Sequence, residues 1–95
     1  MIDKYVTRVA HAEIPFVLQQ LIWRLYERGY PETKKQDYLQ VFIINREEGY
    51  TKITMKQERP LEKQVIPINQ LFDFNGSVWL IKENDYVVMM LPSDY

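Results

Sequence analysis

One histidine, two serines and a few acids in turn-like segments are what this 95-residue chain offers to proton transfer or nucleophilic attack. A hydrolase or transferase needs a nucleophile, a base and a stabilising donor held together, and the base is most often histidine. The single candidate, His11, sits between Ala10 and Ala12-Glu13 at the end of a strand-like run, where a surface or capping role suits it better than catalysis. Ser77 and Ser93 lie outside any Gly-x-Ser-x-Gly elbow. Glycines occur only at 29, 49 and 76, too far apart for a phosphate-cradling loop or a dinucleotide fingerprint. Glu47-Glu48 and the Glu83/Asp85 pair are the carboxylates closest to a metal or glycosidase arrangement. Both pairs fall in expected hairpin turns, where acids are solvated and bonded to their own backbone. Without cysteine there is no disulfide, thiol nucleophile or thiolate ligand, and no histidine-rich or calcium-loop spacing takes its place. The residues therefore predict a protein that is not an enzyme and holds neither cofactor nor metal.

Composition narrows the alternatives. The chain is 46% hydrophobic and 26% charged, the balance of a globular domain. Its length allows one core and no second, so residues 1–95 are expected to form a single domain. No apolar run approaches the ~20 residues of a membrane helix, and Met1-Ile2-Asp3-Lys4 leads into strand alternation instead of a signal-peptide core, which predicts a cytoplasmic protein. Twelve basic against thirteen acidic residues leave a net charge of -1, which argues against counterion-driven binding to nucleic acid. The basic candidates Lys34, Lys35, Lys52, Lys56, Arg59 and Lys63 are interleaved with Glu47, Glu48, Glu58 and Glu62, so their fields cancel.

The hydropathy pattern supplies the scaffold. Tyr5 to Ala10 alternates as a first strand. Pro15 and Gly29 then bracket a helix whose apolar stripe is Leu18, Leu21, Ile22 and Leu25. From Tyr38 a strand is apolar on both faces and belongs near the sheet centre, with Leu39, Val41 and Ile43 expected to meet the helix. Glu47-Glu48-Gly49 turns it into Tyr50 to Glu58, where Ile53 and Met55 face inward and Lys52, Thr54 and Lys56 outward. Val65 to Ile68, interrupted by Pro67, reads as an edge strand or bulge. Ser77 to Lys82 and Tyr86 to Leu91 form a last hairpin through Asn84-Asp85. Together these predict an α+β domain, a largely antiparallel sheet of five or six strands with one main helix on a face.

What the chain has in excess is aromatic surface, with seven Tyr, four Phe and two Trp. Such residues bring large area to an interface at little rotamer cost. Phe16 and Trp23 lie off the helix stripe, which predicts burial against the loop at Leu71 to Phe74 or against another molecule; they are the first candidate contact surface. Tyr50, Lys52, Lys56 and Arg59, on the solvent side of the central hairpin, are the second.

Five segments taken in order carry a resemblance: Tyr5-Val6-Thr7-Arg8, the Ile14-Pro15…Leu18-Gln19…Trp23 helix, Asp37-Tyr38-Leu39-Gln40-Val41-Phe42, Gln57-Glu58-x-Pro60, and Met90-Leu91. Over nearly the whole chain they resemble a family of small proteins from low-GC Gram-positive bacteria and their phages and plasmids, catalogued as domain of unknown function number 960. The resemblance implies an α+β domain and brings no catalytic residue. It departs at Val9, where such proteins carry Gly, and at Lys56, where they carry His, the one residue that could have been nominated as acid or base. Carriage on mobile elements implies an antagonist of host defence, most specifically an anti-CRISPR inhibitor of a type II effector nuclease or its guide RNA complex. The alternative is a cytosolic interaction module or homodimer serving the host.

Overall fold

A computed structural model describes residues 2–95. Its elements run β1 (Asp3–Val6), α1 (Arg8–Glu13), α2 (Phe16–Arg28), β2 (Leu39–Arg46), β3 (Thr51–Gln57), β4 (Glu62–Ile68), β5 (Gly76–Lys82) and β6 (Tyr86–Met90), with a closing 3-10 turn at Pro92–Asp94. All six strands join one sheet in the order β1-β6-β5-β2-β3-β4, and only the β1–β6 pair is parallel. This is the expected α+β domain with β2 at its centre.

Helix α2 forms between the expected signals. Pro15 precedes its first residue, and Gly29 ends it at φ 72, a left-handed value that any side chain would strain. Leu18 and Ile22 have no exposure and Leu25 is buried, while Leu21 packs only partly against the core. The same core takes Phe42 and Ile44 of β2, Ile53 and Met55 of β3, Val78 and Leu80 of β5, and Val87 and Met89 of β6.

Two expectations are corrected. The first strand stops at Val6, because Thr7 begins a helix instead: its hydroxyl accepts a hydrogen bond from the Ala10 N–H at 3.1 Å and donates one to Asp94 at 2.7 Å. A capping threonine thus overrides the strand propensity of Val6-Thr7 and Val9. The central strand is also turned over. Gln40, Phe42 and Ile44 face the helix, and Leu39, Val41 and Ile43 lie half-buried on the opposite side. With period-2 alternation, placing polar Gln40 outside moves every apolar residue of the strand to the wrong face.

Tight coupling of the two helices has its own polar device. Gln19, almost fully buried, donates through Nε2 to the carbonyl of Ile14 at 2.7 Å and to that of His11 at 3.4 Å. This satisfies carbonyls at the α1–α2 corner that have no helical partner.

Ile22→Ala, at a fully enclosed site, is expected to cost about 2–5 kcal/mol of stability, and Leu21→Ala distinctly less. Phe42→Ala should likewise cost more than Val41→Ala. Urea unfolding of the four variants checks the order, and a larger loss at Val41 than at Phe42 would mean that β2 presents its other face to α2.

Candidate functional site

Helices α1 and α2 occupy one face of the sheet; on the other, the chain that follows the closing 3-10 turn packs Tyr95 against Trp79, and no helix covers the rest among the described residues. Strand alternation dictates what that open face shows. Register places Tyr5 of β1 beside Val88 of β6, Ile81 of β5 beside Val88, and Leu39 of β2 beside Ile81. One row further, Met90, Trp79 and Val41 are neighbours, followed by Lys56 of β3 and Lys63 of β4. Tyr5 meets Tyr86 edge-on at 5.7 Å, and Tyr95 meets Trp79 in the same manner at 5.7 Å. Apolar side chains therefore run in continuous rows across the middle of the face, with tyrosines at the β1 side and lysines at the β3–β4 side.

A groove of about 370 Å³ indents the face where β2 starts and β3 turns into β4. Its apolar lining is Tyr38, Leu39, Val41 and Leu61, and Lys56, Lys63, Glu58, Glu62 and Asp37 stand around it. Leu61 is 81% exposed and Tyr38 60%, unusual values for large apolar groups placed side by side.

The groove keeps its shape through a knot of side-chain amides beneath it. Gln57 accepts at Oε1 from the Asp37 N–H at 2.9 Å and from Gln40 Nε2, and its own Nε2 donates to the carbonyls of Lys35 at 3.1 Å and Pro60 at 3.0 Å. Asp37 accepts from the Tyr38 N–H at 2.8 Å and, with its other oxygen, from the Arg59 N–H at 3.0 Å. Tyr30 closes the knot by donating to Gln40 Oε1 at 2.8 Å. Gln40 is fully buried and Gln57 nearly so, yet no buried polar side-chain atom among the described residues lacks a partner. The network fixes the β3–β4 turn against the start of β2. Burial, with the negative charges of Glu62 and Asp37 adding to it, pushes the Tyr30 hydroxyl well above its ordinary value, so it stays a donor.

The residues nominated from sequence divide between the two faces. Phe16 is 62% exposed at the start of α2. Trp23 is half-buried against the core, edge-on to Tyr26 at 6.2 Å and under the Lys4 ammonium at 5.7 Å, so its partners come from its own helix and β1. In the expected loop it is Phe72 that is buried, while Leu71 is exposed. Lys52 and Lys56 lie on the open face; Lys52 pairs with Glu47 at 3.4 Å, and Lys56 stands opposite Lys63. Tyr50 follows the β2–β3 turn, and Arg59 lies in the β3–β4 turn with its N–H held by Asp37. His11 is exposed on α1, Ser77 half-buried in β5 and Ser93 exposed in the last turn. No group of three or more His, Asp or Glu that could hold a metal occurs among the described residues, and no helix there is long and apolar enough to cross a membrane.

Sequence reasoning missed Gln40, Gln57 and Tyr30. A signal was available: Gln40 sits at the same parity as Phe42 and Ile44, and glutamine in that position asks for a buried amide partner.

Comparison with known proteins places the chain. A family model described as staphylococcal protein of unknown function (DUF960) matches residues 3–94. The chain belongs to this family. Comparison with curated proteins gives no match. A crystal structure of a protein of unknown function from Enterococcus faecalis superposes with a TM-score of 0.82, covering 99% of this chain and 91% of that one at 14% identity. At that identity the likeness shows the fold alone. Within this chain, the two family-like segments Asp37–Phe42 and Gln57–Pro60 are the ones that the amide knot ties together.

Gln57→Ala should destabilise the fold by about 1–3 kcal/mol or more, because it leaves several buried groups without partners, whereas Glu58→Ala beside it should stay within about 0.5 kcal/mol. Equal effects in denaturant unfolding would remove the knot from its structural role. Tyr30 adds a pH dependence. Its hydroxyl is harder to ionise in the folded than in the unfolded chain, where it titrates near pH ~10. Its contribution is therefore full below that pH and is lost as pH rises through and beyond it. Tyr30→Phe should lower stability at neutral pH and reduce the fall in stability between neutral and strongly alkaline pH.

Proposed function

We propose that this protein works by binding another protein and not by catalysis, through the open sheet face and its corner groove. The observation that carries the reading is the apolar area crossing the sheet on the side the helices leave bare. Contiguous apolar surface on a protein face commonly marks an interaction site. The groove supplies a concavity for one apolar anchor, and the tyrosines and lysines around the face supply the polar rim that interfaces use. Phe16 on α2 is a second surface, on the other side of the molecule.

The specific form of this reading is inhibition of a type II CRISPR effector nuclease or its guide RNA complex. Its support is the resemblance to proteins of phages and plasmids; the form served by the alternative is a cytosolic interaction module of the host. Small size, a near-neutral charge and a preformed apolar face suit contact with protein more than with RNA.

In a plasmid-interference assay the wild-type chain should protect the target from a type II effector, and Leu61→Asp should protect it less at equal soluble expression. Loss of one central apolar anchor costs roughly 2 kcal/mol of binding. Absence of protection against every effector tried would turn the reading to the host module. Full protection by Leu61→Asp and Tyr38→Asp, with loss in Phe16→Ala, would move the surface to α2.

A further inference from the structure

We propose that residues 92–95 form a movable cover over Trp79, held shut by Asp94, and that a partner reaching the open face lifts it; the proposal rests on the binding reading above and adds a step to it. Three features point to a cover with a latch and a hinge. The first is what lies beneath. Trp79 stands inside an apolar row, with Met90 of β6 on one side and Val41 of β2 on the other, and it is half-buried. Tryptophan in such a place is a residue type on which interfaces concentrate their energy. The Tyr95 ring rests edge-on against it at 5.7 Å, with 65° between the two planes. Tyr95 itself is 81% exposed, so it shields part of Trp79 while little grips it in return.

The second is the fastening. Asp94 accepts through Oδ2 from the Thr7 hydroxyl at 2.7 Å and from the Leu91 N–H at 3.1 Å. One carboxylate thus ties the turn both to its own base and to the start of α1, at the other end of the chain. Thr7 is held independently, because its N–H donates to the Met89 carbonyl at 3.0 Å and its hydroxyl caps α1. The anchor therefore stays in place when Asp94 lets go. Both bonds of the Asp94 carboxylate are exposed, and a hydrogen bond to water-accessible groups shifts an equilibrium by a factor of about ten or less. A latch of that strength opens and closes readily.

The third is the hinge. Leu91 packs against the core and marks where the fixed chain stops. Beyond it, the Pro92–Asp94 turn contains no buried residue, and its backbone bonds, from the Asp94 N–H to the Leu91 carbonyl at 2.9 Å and from the Tyr95 N–H to that of Pro92 at 3.2 Å, lie within the turn itself. The turn can swing about Leu91 as a unit, and the core stays closed when it does.

Trp79 reports on the cover without any partner. On a Trp23→Phe background, which leaves Trp79 as the one tryptophan, acrylamide quenching of its fluorescence is compared for Tyr95→Ala, Asp94→Ala, Ser93→Ala and Thr7→Ser, with circular dichroism to confirm that each chain folds. Tyr95→Ala sets the open limit. Asp94→Ala, which removes the latch and keeps the ring, should reach at least about half of the increase that Tyr95→Ala gives, because the lost bonds bias a two-state equilibrium by that order. Ser93→Ala and Thr7→Ser, which keep the latch, should match the background. Fluorine resonances of the fluorotryptophan-labelled protein separate Trp79 from Trp23 and read the same change with both tryptophans in place. Quenching unchanged by Tyr95→Ala overturns the cover, and quenching unchanged by Asp94→Ala overturns the latch. In the plasmid-interference assay Asp94→Ala should then protect at least as well as the wild type at equal soluble expression, since the partner no longer has to lift the cover. Weaker protection would make the closed turn part of the contact surface and overturn the proposal. A wild-type protein that does not protect removes the binding reading alone, and the quenching still decides the cover.

Discussion

The constraint on which the molecule depends is a mismatch of area. A thirteen-residue helix is about 10 Å across and covers the width of roughly two strands, yet the chain builds six. Enclosing even one face takes everything else available: α1, Phe72 from the loop before β5, and Tyr26 and Tyr30 at the far end of α2. Among the described residues little is left for the second face beyond Tyr95 against Trp79. The apolar rows of that face on β2, β5 and β6 are therefore left largely half-buried, shielded mainly by their neighbours in the sheet.

The same scarcity explains the polar core. Where apolar side chains run out, at the end of α2 and the start of β2, the interior is closed with amides and a phenol whose hydrogen bonds are all satisfied. A fully satisfied network rigidifies its surroundings, whereas one missing partner leaves several groups unpaired. Asp37, Gln40 and Gln57 thus need no catalytic explanation. They hold a turn, and the groove is the outer surface of that turn.

Helix α2 was legible because its signals are local: a proline before it, a glycine after it, and apolar residues at helical spacing between. So was the last hairpin, with its Asn84-Asp85 turn, and so was the inward set Ile53 and Met55 on β3. The misreadings came where one residue decides the geometry of many. Thr7 looks like strand until its hydroxyl finds the Ala10 N–H, and Gln40 looks exposed until Gln57, seventeen positions away, is known to meet it. The candidate surface was half legible for the same reason. Lys52 and Lys56 follow from alternation alone, but the apolar row they border needs the strand order, and a parallel β1–β6 pair joining the two ends of the chain has no mark in local sequence.

The edge strands bear on how such a domain can associate. β4 carries Pro67, which has no N–H to give, and β1 at the other margin is only four residues long. Both are poor templates for adding a further strand. Growth by edge pairing has no natural end and leads to fibres, while pairing by faces uses up the sticky surface in one step. A chain that leaves an apolar sheet bare while blunting its margins therefore permits finite complexes and resists polymerisation.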